Sequence, residues 1–369
     1  MDFSLGEELE ALRDLAHEIF TDHATPERLR EVETSATRVD DKLWNDLAGT
    51  GLLAAPLPEE TGGAGLGLAA LCVILEQQGR SVAPVPVWPA VLAALALAAH
   101  GSAPQRAALL PSAADGTDRF TLALEEFGPA GPREPRTGAT PDGPAWRISG
   151  TKAVVPAPAG AGRVLVTAAT GTGTGLFLVR SDAPGVSWTS AETTSHDLSA
   201  HLTLDGAPAE AVGAPGSGAV EWITERAGAA LAALQLGVAQ GALRHAAEHL
   251  GAREQFGRPL ATFQAVRHQL ADCLIDIEAM RVTLWQAVTA LEDGEGTERA
   301  ALVAKWWADE GGLDVVHRVQ HVHGGIGVDT DYSVHRHFLW GRQIATTLGG
   351  ASADLSRLGE VLARGTVAS

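Results

Sequence analysis

The segment Arg253-Glu254-Gln255-Phe256-Gly257-Arg258-Pro259-Leu260, running on into Phe263-Gln264, interrupts one long apolar-periodic stretch and opens another. Gly257 and Pro259 are poor helix-interior residues and mark a turn. Beyond them Phe263, Val266, Leu270, Leu274, Ile277, Leu284 and Val288 recur mostly at three- and four-residue intervals, as a core-facing helical stripe requires. Gly251 punctuates the helix on the other side. Further on, Gly324-Gly325-Ile326-Gly327 ends another helix, and a last one is expected from about Ala351 to Ala363. Residues 217–369 therefore read as a carboxy-terminal helical bundle.

Outward from this bundle the texture changes twice. Residues 113–216 are dense in Gly, Pro and Thr, with short apolar runs at Phe120–Leu124, Arg163–Thr167, Leu176–Val179 and Leu202–Leu204. Such runs predict a small antiparallel sheet or barrel. The Gly171-Thr172-Gly173-Thr174-Gly175 tract lacks the Lys-Ser/Thr pair and helix start of a phosphate loop, and reads as a turn. Residues 1–112 read as an amino-terminal helical domain, with Leu5, Leu9, Leu12 and Ile19 on one face of its first helix. Leu43 to Leu47 and Leu66 to Leu75 continue that pattern, on either side of the loop Pro58-Glu59-Glu60-Thr61-Gly62-Gly63. The fold class is α+β, in the order α, β, α.

Composition narrows the function classes. The 369 residues are 45% hydrophobic and 20% charged, which excludes wholesale disorder. A net charge of −18 gives no general footprint for nucleic acid or anionic lipid, although a local basic pocket is still open to it. Cys72 and Cys273 are too few for a disulfide framework or a cysteine metal cluster. The opening MDFSLGEELEALRD lacks the basic-then-apolar pattern of a signal peptide. The apolar run Val85 to Ala99 is short of the roughly 20 residues needed to span a bilayer. A soluble, cytoplasmic protein without a membrane span is expected.

Four segments, taken in order, resemble the acyl-CoA dehydrogenase family of flavoproteins. They are Leu47-Ala48-Gly49-Thr50-Gly51-Leu52-Leu53 with the Pro58–Gly63 loop; Thr121-Leu122-Ala123-Leu124-Glu125-Glu126 with Gly150-Thr151-Lys152; Arg253–Leu260 with Phe263-Gln264; and His323-Gly324-Gly325-Ile326-Gly327. The stretch His335-Arg336-His337-Phe338-Leu339-Trp340 is most similar to actinobacterial members that act on steroid side chains. The resemblance implies an amino-terminal helical domain, a middle β domain and a carboxy-terminal four-helix bundle enclosing FAD and an acyl-CoA thioester. It also implies dimers or tetramers, because the adenosine diphosphate tail of the flavin reaches into a neighbouring subunit.

On this resemblance the cofactor-binding residues are Arg253, Phe256, Gln264, His321, Gly324 and Gly325. Each suits the task chemically. A guanidinium forks onto a pyrophosphate, an aromatic ring walls the cofactor, and an amide offers both donor and acceptor. Paired glycines let backbone amides approach phosphate oxygens. Four positions depart from the family pattern. His321, with Gln320 just upstream, stands where relatives carry glutamine. Glu125 stands in place of threonine in the flavin loop, with Phe127 in place of proline. Val154 stands where many relatives place a tryptophan against the ring. An ionised Glu125 has no proton to donate to flavin.

The family reaction, α,β-desaturation of a thioester, needs a carboxylate to remove the α-proton while flavin takes the β-hydride. The two places where relatives hold that glutamate correspond here to Gly349 and Ala227. Glu225 is two residues from Ala227, about 200° around a helix, and reads as a solvated acidic residue. Asp354, one turn into the last helix, reads as a carboxylate favouring a helix N-terminus. No catalytic base is therefore assigned. A chain that keeps the cofactor segments and lacks the base resembles the non-catalytic partner in an α2β2 dehydrogenase, whose homologous subunit carries the glutamate; otherwise a homodimer or homotetramer is expected. A second class is a redox-silent member of the fold acting as a dehydratase, cyclase or structural partner.

Histidines crowd the carboxy-terminal half. His317 and His321, like His245 and His249, are one helical turn apart, but without an HExxH pattern or cysteine ligands no metal is expected. His335-Arg336-His337 offers an alternative hold on a thioester or phosphate. Trp306, Trp307 and Trp340 are expected in a core or subunit contact, and Arg336 and Arg342 are candidates for charged contacts at a subunit interface.

Overall fold

The computed structural model describes residues 5–129 and 131–367. The reading of the opening MDFSLGEELEALRD rests in part on residues 1–4, outside the described residues. Helices α1 (Glu7–His23), α2 (Pro26–Glu33), α3 (Asp41–Gly49), α4 (Gly67–Ser81), α5 (Val87–His100) and α6 (Ala103–Ala114) come first. Strands β1 (Arg119–Ala123), β2 (Gly138–Asp142), β3 (Ala145–Pro156), β4 (Ala161–Thr170), β5 (Gly173–Arg180), β6 (Val186–Glu192) and β7 (Leu198–Val212) follow. The rest comprises α7 (Ala219–Ala252), the two-residue strands β8 (Glu254–Gln255) and β9 (Arg258–Pro259), α8 (Gln264–Asp293), α9 (Thr297–His323), α10 (His335–Ile344) and α11 (Gly350–Val367). The chain divides into two compact units built from sequence-distant segments. One comprises Glu27–Leu71 and Pro84–Ala227; the other comprises the residues up to Pro26, Cys72–Ala83 and those from Gly228 onward.

The first unit holds the sheet. Ahead of it, Asp40 caps α3 by accepting from the amides of Lys42 and Leu43, and Arg28 clamps the same carboxylate at 2.8 and 2.6 Å. Ser102 and Gln105 form a capping box on α6. In the sheet, β4 pairs with β5, β5 with β7, β7 with β3 and β3 with β2, each antiparallel. The β2–β4 bridge, Gly138 opposite Ala169, closes the ring. Around it lies a core of Ile148, Val155, Val166, Phe177, Leu202 and Leu204. This closure corrects the expectation of an antiparallel sheet: β1 and β2 both run parallel to β4. Parallel neighbours need long crossovers, and β1 reaches β4 through the intervening β2–β3 hairpin. The Gly171–Gly175 tract forms the β4–β5 turn, as its composition predicts.

The second unit is the bundle. Gly294, in the left-handed region, ends α8, and Gly324 ends α9. The expected stripe on α8 holds only in its second half. Ile277, Leu284 and Val288 are buried with Cys273, Met280 and Ala287, whereas Leu274 is 52% exposed beside a 66% exposed Ile275. Trp340 is buried, while Trp306 and Trp307 pack edge to face half-buried. Among the described residues no helix is long and apolar enough to cross a membrane; the Val85–Ala99 run becomes α5, a 14-residue helix.

Glycines set the closest approach in the bundle. A Cβ on Gly79 would lie 2.2 Å from the Leu234 carbonyl oxygen, and one on Gly237 would lie 2.0 Å from that of Glu76. Gly241 meets the Arg80 carbonyl oxygen in the same way, at 2.4 Å. Here α4 and α7 cross with backbone against backbone. Nothing flexible stands in the way that could move aside. Gly237→Ala is expected to lower the unfolding free energy by about 3 kcal/mol, read as an earlier denaturant midpoint at unchanged slope.

Candidate cofactor and substrate site

Helix α7 ends at Ala252, and the next seven residues fold into a small hairpin, with Glu254 opposite Pro259 and Gln255 opposite Arg258. Its tip needs two left-handed residues in a row, supplied by Phe256 at φ 54° and Gly257 at φ 76°. Phe256 is thus held in a conformation bulky residues avoid, with its ring 91% exposed. It is not a core aromatic. Arg258 is occupied, its guanidinium 4.1 Å above the Phe263 ring. Arg253 and Gln264, the latter the first residue of α8, are exposed on either side of the hairpin.

The glycine turn after α9 lies in the same unit. Gly324 has φ 64° and donates its amide to the His321 carbonyl. A Cβ on Gly324 or Gly325 would meet no atom within 4 Å, so the space above the turn is open, whereas one on Gly327 would press on Gln320 at 3.0 Å. His321 is exposed; Gln320 is tucked under the turn with its carbonyl oxygen buried and unpartnered. The other histidines pack together. His249 stacks on His323 at 4.8 Å, His245 meets His337 edge-on at 5.0 Å, and His323 donates from Nδ1 to the Val319 carbonyl at 2.7 Å. His337 donates from Nε2 to the Arg80 carbonyl, and burial, with His245 nearby, pushes its pKa down to about 3. No group of three or more side chains able to hold a metal is assembled among the described residues. His337 and Arg336 are buried, which corrects both the alternative of a thioester or phosphate grip and Arg336 as a surface contact. Arg342 is exposed, as an interface residue would be.

At the base positions no carboxylate appears. Ala227 is fully buried. Gly349 lies in a connector where Leu348, Gly349 and Gly350 all have positive φ, at 61°, 104° and 75°. A Cβ on Gly349 would lie 3.0 Å from that of Ala353. The two nearby acids are both engaged. Glu225 is not solvated: its side chain is 10% exposed and pairs with Arg133 at 3.2 Å. Asp354 is no helix-end carboxylate in solvent either. It is buried beside Asp309 and Lys305, whose ammonium lies 2.6 Å from Asp309 and 3.8 Å from Asp354. Burial and the neighbouring carboxylate push the Asp309 carboxyl up to about 8, against the pull of Lys305. Burial raises the Asp354 carboxyl as well, again against the pull of Lys305.

In the barrel unit the sequence motifs close on one another. Lys152, fully buried, donates to Glu126 Oε1 at 2.6 Å and to the Thr167 hydroxyl at 3.0 Å. Glu126 also accepts from the backbone amides of Arg136 and Thr137. Burial alone would raise the Glu126 carboxyl, but Lys152 and Thr137 outweigh it and hold it low. This clasp fixes the loop after β1, and the Glu125 carbonyl accepts from Ala153. Next along, Val154 has φ 49° within a β3 irregularity and donates its amide to His201, whose ring packs on Phe127 at 4.9 Å. A β-branched residue held at positive φ is a genuine outlier, of the kind that clusters at functional sites. Neither His201 nor the Lys152–Glu126 pair is legible from local sequence, because their partners lie 47 and 26 positions apart.

Comparison with known proteins adds the family. Residues 6–117 match the acyl-CoA dehydrogenase N-terminal domain and residues 216–358 the acyl-CoA dehydrogenase C-terminal domain. Acyl-CoA dehydrogenase FadE27 of Mycobacterium tuberculosis is 37% identical over 98% of this chain and 99% of its own length. The chain belongs to the acyl-CoA dehydrogenase family. Among similar solved structures, the Tcur3481–Tcur3483 steroid ACAD G363A variant is 63% identical with a TM-score of 0.96, over 99% of this chain and 100% of that one. The ChsE4–ChsE5 complex from M. tuberculosis is 37% identical with a TM-score of 0.93, over 98% of this chain and 99% of that one.

Acyl-CoA dehydrogenases bind FAD, and parts of this chain fit it. An exposed aromatic on a strained turn, an exposed arginine and open space over two glycines suit a dinucleotide tail. The barrel segment fits the flavin ring less well, since Glu125 and Val154 offer it neither a hydroxyl donor nor an aromatic face.

The raised Asp309 carboxyl has a measurable consequence. Folded Asp309 keeps its proton above the pKa of about 3.9 of an unfolded aspartate, so the native chain binds more protons between that value and about 8. The stability this contributes is fully present at the acid end of the window and lost as pH rises through it. Asp309→Asn is expected to flatten the decline, measured as denaturant midpoints at pH 5 and pH 8.5.

Proposed function

We propose that this chain is the glutamate-lacking subunit of an α2β2 acyl-CoA dehydrogenase that desaturates a bulky CoA thioester such as a steroid side chain. Arg253, Phe256 and Gln264, with Gly324, Gly325 and His321, face the adenosine diphosphate half of FAD; the chain supplies no catalytic residue. The observation that carries this reading is the state of the base positions. Gly349 has no side chain and a backbone at φ 104°, Ala227 is apolar and buried, Glu225 is paired with the half-buried Arg133, and Asp354 is buried 3.8 Å from the Lys305 ammonium.

Bound FAD supplies the hydride acceptor. The chain's own part is to hold it: Arg253 neutralises phosphate charge, Phe256 covers an apolar face, and the amides at Gly324 and Gly325 point at phosphate oxygens. Support for a partner comes from the adjacent Leu274 and Ile275 on α8, exposed apolar side chains that a second chain would cover. The similar ChsE4–ChsE5 structure is a complex of two differently named chains, and another similar structure is named a steroid ACAD.

The test is to purify the chain alone and together with a homologous subunit that carries the glutamate. Alone it is expected to turn over no acyl-CoA thioester; together they form a yellow heterotetramer, and Arg253→Ala lowers its flavin content. Turnover by the isolated homo-oligomer, abolished by Glu225→Gln, would overturn the reading. Gly349→Glu is expected to restore no activity, because a side chain there meets Ala353 and a left-handed backbone that costs roughly 1–2 kcal/mol.

A further inference from the structure

We propose that the cleft enclosed by α1, α4 and α8 in the bundle unit is a second binding site, taking a small organic anion whose phosphate or carboxylate head sits among Arg13, Arg80 and Arg281. The cleft has a volume of about 490 Å³, within the range of small-molecule sites. On a chain of net charge −18 its lining gathers three guanidiniums with two carboxylates, Glu10 and Glu76. Outside the lining Arg13 also pairs with Asp14 at 2.8 Å and Arg281 with Glu278 at 3.4 Å, which leaves Arg80 as the guanidinium without a direct carboxylate pair among the described residues. Glu76 is already committed: it accepts from Gln240 Nε2 at 2.8 Å and pairs with Arg281 at 3.4 Å. Glu10 lies exposed at the rim.

Arg80 is the centre of the site. Its Nε donates to Gln240, and neither terminal nitrogen of its guanidinium has an acceptor among the described residues. Burial lowers its pKa, and Arg281, Arg244 and Arg13 push the same way against Glu76. Its neighbouring carboxylate, Glu76, is shared with Gln240 and Arg281, so the fork of Arg80 stays available to a phosphate or carboxylate. Gln77 also lines the cleft, 2% exposed, with its side-chain carbonyl unpartnered. Trp285 and Val282 add a flat and an aliphatic wall for the body of the ligand. The site is separate from the residues assigned to FAD, since Arg281 is 17 residues along α8 from Gln264, about 25 Å. It therefore stands or falls independently of the proposed function.

The experiment uses the purified flavin-loaded protein, with its partner subunit where it has one, titrated calorimetrically at low ionic strength with adenosine 5′-monophosphate and with hexanoate. One site per copy of this chain is expected, weakened about tenfold or more by Arg80→Gln and by Arg281→Gln, with flavin absorbance and turnover unchanged. The tighter probe identifies the head group. Arg13→Gln, at the rim and away from the α4–α7 crossing, is the second variant should Arg80→Gln fail to fold, and is also expected to weaken binding. Absence of binding by both probes, or binding indifferent to Arg13→Gln and Arg281→Gln, would sink the proposal.

Discussion

The contact on which the bundle unit depends is the crossing of α4 and α7, where Gly79, Gly237 and Gly241 let two helical backbones touch. Interiors are packed as tightly as organic crystals, so a crossing without side chains between the axes admits no slack. Its register fixes what lies along α7 in both directions. Ala227 is ten residues before Gly237, about 15 Å along the helix, and His245 and His249 follow beyond it toward the hairpin. The same contact presents Glu76 and Arg80 on one turn of α4, which is why a charged cleft can persist beside a tightly packed crossing.

The buried carboxylates of this molecule hold structure together. Glu126 holds Lys152 inside the barrel, Asp40 holds Arg28 while capping a helix, and Asp309 and Asp354 divide one lysine. Burying such pairs gains little net stability against the desolvation of both charges, but removing one partner strands the other at a cost of about 3–5 kcal/mol. A carboxylate locked in this way is a poor base, because its lone pairs and its charge are already committed. Glu225, tied to Arg133, falls in this group.

How far the sequence could be read depended on the range of each interaction. Local signals were legible: the break at Arg253–Leu260, the stop at Gly324, the turn at Gly171–Gly175 and the order of helices and strands. Non-local ones were not. Arg133 is 92 positions from Glu225, so nothing near Glu225 hinted that it was paired. Asp354 and Lys305 come from different helices, and a period of 3.6 residues places Asp354 on a face without saying that the face is buried. Leu274 shows the converse, since apolar spacing marks a face that wants covering and cannot say whether the cover is the same chain. The parallel pairing of β1 with β4 was hidden because pairing direction is set by connections, not by strand composition. Among the cofactor candidates, the exposure of Phe256 was invisible to composition, although a bulky residue before glycine at a hairpin tip carries its own hint.

The connector at Leu348–Gly350 limits what position 349 can hold. A leucine at φ 61° precedes two glycines at 104° and 75°. A left-handed leucine costs roughly 1–2 kcal/mol, and only glycine takes the next two angles without strain. The loop has therefore settled into a path in which an L-residue at position 349 is disfavoured, and α11 begins from that path with Asp354 turned into the lysine cluster. A side chain introduced at position 349 has to overcome that backbone as well as the contact with Ala353.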